Sequence, residues 1–247
     1  MQVLAVLKSP LWRVPLALAS CYMAKTNSTP PPAASVDERK KFHTKNTTTG
    51  GADILSSILW WWLPSYWTML YLVNLIQIYD ILQSEFPALP LPNLYITVVR
   101  LPSHEKISSV AVCGVTLSLI GFCFRLHALR LLGRQFTFEL SIRKEHKLVT
   151  SGPYSIVRHP SYLGNIVFCI GNVILTMGPG SVWFERALWS SYLGATIMTL
   201  WLWLNASLIV LMIGRTTSED AALQREFDQH WQKWAAQTRY KLIPFVY

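Results

Sequence analysis

The sequence predicts an all-α, polytopic membrane helix bundle with four spans, a weaker fifth candidate at the N-terminus and a cytosolic C-terminal helix. Three observations lead there. Of 247 residues, 51% are hydrophobic and only 14% are charged, against roughly 25% charged in a soluble domain. The aromatic share is 13%, with 11 Trp, which excludes a disordered chain. The mean hydropathy is nevertheless only +0.29, so the apolar residues must be gathered into particular stretches.

Residues 1–23 are apolar but interrupted by Lys8, Pro10, Arg13 and Pro15. They read as a weak first membrane helix, an interfacial segment or a signal-like stretch. The linker 24–52 holds a proline run from Pro30 to Pro32 and the cations Lys25, Arg39, Lys40, Lys41 and Lys45. Ile54 to Tyr79 carries no charge and lies between Asp53 and Asp80; Trp60, Trp61, Trp62 and Trp67 suit an aromatic belt near its start. Ile107 to Phe124 is uncharged up to Arg125, Pro160 to Phe184 up to Glu185, and Ala187 to Gly214 up to Arg215. Three of these stretches exceed the ~20 residues a membrane helix needs, and Ile107 to Phe124 nearly reaches that length. The chain thus divides into an N-terminal segment and linker (1–52), a membrane part (53–130) and a C-terminal region (131–247) built around a two-helix hairpin.

The net charge of +9 would suggest nucleic acid on a soluble protein. No basic run here is interleaved with exposed aromatics, so no nucleic-acid partner is expected. In a membrane protein the same excess marks cytosolic loops, and it places 24–52, 131–159 and 215–247 in the cytosol. The sequons at Asn27 and Asn46 then face the cytosol and stay unmodified. Cys21, Cys113, Cys123 and Cys169 lie in apolar stretches without a CxxC or Cys/His cluster. Buried free thiols are expected, with no disulfide framework and no metal.

Two polar segments frame the hairpin. The first runs from Glu145 to Gly164 and contains His146, Tyr154, Arg158, His159 and Tyr162. Ser151-Gly152-Pro153 is turn chemistry, and Pro160 suits the first turn of the helix it introduces. Each of these residues alone fits a juxtamembrane connector. Together they crowd polar groups at one helix entrance, where backbone N–H groups face a ligand. The second segment holds Arg215 and Glu219, which share a helix face at i,i+4. Read by itself this is an intrahelical salt bridge at the end of a membrane span; read with the hairpin, which returns it to the same side, it faces the His159 segment. Leu223, Phe227, Trp231 and Trp234 form an approximate apolar stripe that would dock the tail on the bundle or on the membrane. The end, Thr238 to Phe245, is too apolar for a free tail.

At these residues the sequence resembles the isoprenylcysteine carboxyl methyltransferase family, endoplasmic-reticulum enzymes that methylate prenylated C-termini. The resemblance rests on His146-x-Leu148-Val149-Thr150-Ser151-Gly152-x-Tyr154, on Arg158-His159-Pro160-Ser161-Tyr162-x-Gly164, on Arg215-x-x-x-Glu219-Asp220-x-x-Leu223, and on Leu242-Ile243-Pro244-Phe245. It covers roughly the C-terminal half. The Arg-His-Pro-x-Tyr element alone also resembles phospholipid N-methyltransferases and, distantly, sterol reductases. The resemblance implies methyl transfer from S-adenosylmethionine to the C-terminal carboxylate of prenylated cysteine. It further implies CaaX-type prenylated proteins, after proteolysis, as substrates, and a multi-pass place in the endoplasmic-reticulum membrane with the site facing the cytosol. By resemblance His146, Lys147, Leu148, Val149 and Tyr154 line the cofactor pocket, and His159, Pro160, Ser161 and Tyr162 close it. Glu219 holds the cofactor, and Arg215 is the catalytic and substrate-carboxylate residue. The family's usual Glu-Glu pair is here Glu219-Asp220, and its upstream cofactor-contacting Gln has no counterpart in Phe138 to Ser141.

The chemistry agrees with the residue types. An α-carboxylate has a pKa near about 3.5, so it is already ionised and needs no general base. The site must align two reactants, exclude water and neutralise one anion, and the planar fork of an Arg suits that. Aromatic faces such as Tyr154 and Tyr162 would stabilise a sulfonium. Three rival readings exist: a lipid N-methyltransferase, whose amine needs a base; an NADPH-dependent reductase, which needs cations for a 2′-phosphate; and a non-enzymatic membrane scaffold, which leaves Arg215, Glu219 and His159 without a common ligand.

Overall fold

The computed structural model describes residues 10–29, 54–90, 108–136 and 147–247. Among these residues there are seven α-helices and no strand: α1 (Arg13–Ser28), α2 (Ile54–Glu85), α3 (Ser109–Leu132), α4 (Pro160–Met177), the short α5 (Val182–Glu185), α6 (Tyr192–Phe227) and α7 (Gln229–Gln237). Three segments are long and apolar enough to cross a membrane: Ser109–Leu132, Pro160–Glu185 and Tyr192–Phe227. At 32 residues α2 has the length as well. It is not one of these three, because Trp and Tyr supply much of its bulk and Asn74, Gln77 and Asp80 interrupt it.

The long uncharged stretches and the helices do not coincide at their ends. Pro160 to Phe184 is cut by Gly178-Pro179-Gly180, with Gly180 at φ +86°, into α4 and α5. Conversely, α6 runs 36 residues, well past Gly214. At 1.5 Å rise it is about 54 Å long, nearly twice the ~30 Å hydrocarbon thickness, so its charged C-terminal turns project beyond the apolar part. It stops at Asp228, whose φ of +41° is incompatible with continuing the helix. The expected stripe from Leu223 to Trp234 is therefore divided between α6 and α7.

The chain forms two compact units, one of residues 1–26, 64–120 and 167–206, the other of residues 27–63, 121–166 and 207–247. In the first, Trp183 and Trp201 are fully buried with Phe168, Leu70 and Val73. Their indole N–H groups still find acceptors: Trp183 donates to the Val73 carbonyl (3.3 Å) and Trp201 to the Thr176 hydroxyl (3.2 Å). Ser20 donates to Asn172 at 2.7 Å, and Arg186 bonds Asp80 at 3.0 Å. Buried polar groups require such partners where no water is at hand. Small residues bring α3 and α4 together here: a Cβ on Gly171 would lie 2.4 Å from the Ser118 backbone N. The second unit uses the same device, for a Cβ on Gly164 would lie 2.6 Å from the Arg125 backbone N. Its core cluster is Ala128, Tyr154 and Trp234, flanked by Leu132, Leu148, Val149 and Trp231.

None of the four cysteines forms a disulfide. Cys169 is buried as expected, but Cys113 and Cys123 are exposed. The outer face of α3 is itself apolar, so an apolar surrounding in sequence does not imply the protein interior.

One substitution made at two places tests the close approach of α3 and α4. Gly171→Ala should destabilise the protein by about 1–3 kcal/mol through overpacking, although Ala is the better helix former by about 1 kcal/mol. Gly214→Ala meets nothing within 4 Å and should leave the melting temperature in detergent unchanged or raise it. Equal melting temperatures for Gly171→Ala and the unaltered chain would contradict the packing.

Candidate active site

The charged groups of the second unit converge on the entrance of α4. The turn at Gly152–Ser155, with Gly152 at φ +62°, leads the chain past the buried Tyr154 and Val157 to Arg158 and His159. Pro160 then opens α4, its ring occupying a position where no N–H is needed. The C-terminal segment lies alongside. The backbone N–H groups of Arg158 and His159 donate to the carbonyls of Tyr240 and Lys241, both at 2.9 Å. The Arg158 guanidinium donates to the carbonyls of Thr238 (3.0 Å) and Arg239 (2.8 Å).

His159 is buried and lies between two adjacent carboxylates of α6. Its Nδ1 is 3.3 Å from Glu219 Oε2 and its Nε2 is 3.0 Å from Asp220 Oδ1. Both ring nitrogens can donate only in the imidazolium form. Burial opposes that charge, but the hydrogen bonds and charges of Asp220 and Glu219 outweigh it and raise the His159 pKa. Each carboxylate has a further partner. Arg158 donates Nε and Nη2 to Asp220 Oδ2 at 3.2 and 3.1 Å. Glu219 Oε1 accepts from Tyr162 Oη at 2.6 Å and from Arg215 Nε at 3.1 Å. The Tyr162 ring stacks on the His159 ring, with centroids 5.7 Å apart and planes 10° from parallel.

A second buried cation braces this entrance. Arg125 of α3 donates Nη1 to the Ser161 carbonyl (2.9 Å), and Nε and Nη2 to the Asn27 carbonyl (3.1 and 3.0 Å). It therefore ties the last turn of α1, where a cation suits the exposed helix carbonyls, to the first turn of α4. Below, Trp234 of α7 donates its indole N–H to the Tyr154 carbonyl at 3.1 Å, which docks α7. Burial pushes the Tyr154 phenol well above its ordinary pKa, so it is neutral.

Of the residues singled out in the sequence, His159, Tyr162, Arg215 and Glu219 meet directly. Pro160 and Ser161 form the adjoining helical turn. Tyr154, Leu148 and Val149 belong to the apolar cluster under it. Lys147 is exposed, and its N–H donates to Gln135 Oε1 at 2.9 Å. His146 lies outside the described residues. The pairing of Arg215 with Glu219 within α6 and the approach of both to the His159 segment occur together. Arg158 and Asp220 were named in the motifs but given no role in the site, and two further residues, Arg125 and Gln135, were not singled out. Asp220 was legible as the neighbour of Glu219, and Arg125 as a charge set in an apolar helix. Gln135 lies just upstream of Phe138 to Ser141, and only the fold brings it to Lys147.

The His159 geometry sets the sign of a pH effect. Its folded pKa is raised above the ordinary value of about 6.5, so the bound proton favours the folded state. That contribution is complete below about pH 6.5 and is lost as pH rises through the folded pKa. The melting-temperature advantage of the unaltered protein over His159→Gln should thus be largest near pH 6 and shrink towards pH 9. A constant difference across that range would contradict an imidazolium between two carboxylates.

Residues 114–225 match the family model of the isoprenylcysteine carboxyl methyltransferase (ICMT) family. Among curated relatives, protein-S-isoprenylcysteine O-methyltransferase B of Arabidopsis thaliana is 38% identical over 95 residues, covering 37% of this chain and 48% of the relative. The probable protein-S-isoprenylcysteine O-methyltransferase of Oryza sativa subsp. japonica is 35% identical over 91 residues, covering 36% and 48%. The human protein-S-isoprenylcysteine O-methyltransferase is 34% identical over 80 residues, covering 32% and 28%. The chain thus matches about half the length, or less, of these relatives. No solved structure matches. The matched region contains Arg158, His159, Tyr162, Arg215, Glu219 and Asp220, and across it the chain is similar to the isoprenylcysteine carboxyl methyltransferases.

Proposed function

We propose that the chain transfers a methyl group from S-adenosylmethionine to the C-terminal carboxylate of prenylated cysteine in CaaX-type proteins after their proteolysis. The observation that carries this reading is the ion cluster at the α4 entrance. Within the group Arg158, His159, Arg215, Glu219 and Asp220, three cations face two carboxylates. The excess positive charge suits an anionic nucleophile, and the buried Arg215 is its natural receptor.

The donor set also fits the cofactor. Glu219 matches its ammonium group, the cations His159 and Arg158 match its carboxylate, and the Tyr162 ring offers a face to a sulfonium. The Trp231 indole N–H is buried without a hydrogen-bond partner and is a donor for its polar edge. Leu148, Val149 and Tyr154 supply an apolar wall; His146 and Lys147 join the cofactor-binding set by resemblance, as do Pro160 and Ser161. When bound, S-adenosylmethionine supplies an activated methyl on a cationic sulfur. The protein then aligns the carboxylate for in-line attack, neutralises it at Arg215 and keeps water out. No proton need be removed. His159, donating through both nitrogens, is unsuited to act as a base, which argues against an amine nucleophile and so against lipid N-methylation.

The same reading places residues 131–247 as the catalytic region. It adds α2, and more weakly the N-terminal segment, to the three apolar helices as spans, in the endoplasmic-reticulum membrane. The cationic segments 24–52, 131–159 and 215–247, with α7, face the cytosol, where a soluble cofactor and a bilayer-borne prenyl chain meet.

Membranes containing the protein should methylate a farnesylated cysteine analogue from labelled S-adenosylmethionine. Arg215→Ala should lower kcat/KM by about 100-fold or more, and Arg215→Lys should recover only part of it because the planar fork is lost. Unaltered melting temperatures would separate this from unfolding. Methylation of lipid amines without methylation of any prenylcysteine would overturn the assignment, as would full activity of folded Arg215→Ala.

A further inference from the structure

The C-terminal loop beyond Thr238 has a part that the proposed chemistry does not use. Leu242 is buried and anchors it. The N–H groups of Leu242 and Ile243 both donate to the Tyr247 carbonyl, at 2.9 and 3.0 Å, and those of Val246 and Tyr247 return to the Ile243 carbonyl, at 3.1 and 3.0 Å. Phe245 takes φ +67°, a conformation normally left to Gly or Asn. Its ring lies against Tyr240, with centroids 5.3 Å apart. This closed turn displays apolar groups: Ile243 is 46% exposed, Phe245 88% and Val246 76%. A built, hydrogen-bonded loop with three adjacent apolar side chains turned outward marks a surface that is covered in use.

The position of the loop identifies what covers it. Tyr240 and Lys241 accept hydrogen bonds from the backbone of Arg158 and His159. Those residues directly precede Pro160, where the apolar segment Pro160–Glu185 begins. The loop therefore lies within a few residues of the place where α4 enters the membrane. Cations flank it. Arg239 is exposed, and Lys241 reaches Thr217 Oγ1 at 3.2 Å and the Tyr247 ring at 5.2 Å. Apolar and aromatic groups at the tip with cations behind them match the boundary between headgroups and acyl chains.

We propose that residues 243–246 are an interfacial anchor whose side chains Ile243, Phe245 and Val246 insert into the leaflet at which α4 begins. The proposal rests on α4 being a membrane span and not on the methyl-transfer reading. It has a consequence for the site. The segment 238–241, whose carbonyls hold Arg158 and His159, is then held at a fixed depth, and the ion cluster with it.

The test places a fluorescent label that senses water at Val246→Cys, in the full chain with Cys21, Cys113, Cys123 and Cys169 replaced by Ala. The protein is reconstituted in phosphatidylcholine vesicles containing phosphatidylcholine with a nitroxide on its acyl chain. A label at Val210→Cys, on the exposed face of α6, is the reference for the hydrocarbon. Blue-shifted emission at position 246, quenched at least half as strongly as at 210, is expected. Water-like, unquenched emission at 246 with quenching at 210 overturns the anchor and leaves the spans standing; no quenching at either position overturns both. The unaltered chain gives a second measurement, in which a phospholipid carrying a photoactivated carbene should form adducts on the peptide containing 243–246. Adducts on α6 but none on that peptide would overturn the anchor independently of the cysteine replacements.

Discussion

The placement of His159 between Glu219 and Asp220 is the constraint on which the rest of the site depends. Two carboxylates adjacent in sequence on one helix repel each other and point in divergent directions. A single imidazolium reaches both only from one position, with one ring nitrogen for each. That position fixes the start of α4 against residues 219 and 220 of α6. Once it is fixed, the outer oxygens of the two carboxylates are directed as well, one to Arg158 and the other to Tyr162 and Arg215. Removing one member of such a buried set typically costs about 3–5 kcal/mol, because the charge left behind has no water to compensate it.

Burying so many ions beside apolar helices is sustainable only if every oxygen and N–H has a partner. Around the ion cluster, backbone carbonyls supply many of those partners. Arg158 uses two carbonyls of the C-terminal segment, Arg125 uses carbonyls of Asn27 and Ser161, and Trp234 uses that of Tyr154. Three of these acceptors, Thr238, Arg239 and Tyr154, lie in turns or loops, and the others lie in terminal turns of helices. The Asn27 carbonyl, at the end of α1, is one that a helix cannot satisfy internally, whereas Ser161, in the first turn of α4, uses its second lone pair. The polar cluster and the irregular backbone around it thus solve each other's hydrogen-bonding problem.

Much of this was legible in the sequence, and the failures have physical causes. The uncharged stretches identified the long helices, because an apolar run of that length has few other uses. Their ends are not the helix ends, since α3 continues through Arg125 and Arg130 and α6 through Arg215, where the i,i+4 spacing of Arg215 and Glu219 already indicated helix. Charge marks the membrane boundary and not the helix boundary. The break at Asp228 had no sequence signal, since a non-glycine residue gives no warning of positive φ. In the site, Arg215 and Glu219 were legible from i,i+4 spacing and resemblance. Arg158 and Asp220 were visible as residues, but their mutual bond spans 62 positions and emerges only once α4 and α6 are placed. The outward turn of Cys113 and Cys123 eluded composition for the same reason as the exposed Ile243 and Phe245: in a membrane setting, apolar does not mean internal.

The charge state of His159 separates the two nearest chemical readings. A methyl acceptor that begins as an ammonium must lose a proton before it can attack, and it would enter a group in which cations already outnumber carboxylates. His159, the obvious acceptor for that proton, is occupied at both nitrogens, and the two carboxylates raise its pKa against the effect of burial. Tyr154 is neutral, with its phenol pushed out of range by burial, and cannot serve. An α-carboxylate meets neither obstacle. It arrives deprotonated, and the positive excess that would repel an amine attracts it. The arrangement that makes this site a poor base is therefore the one that suits it to an acceptor needing none.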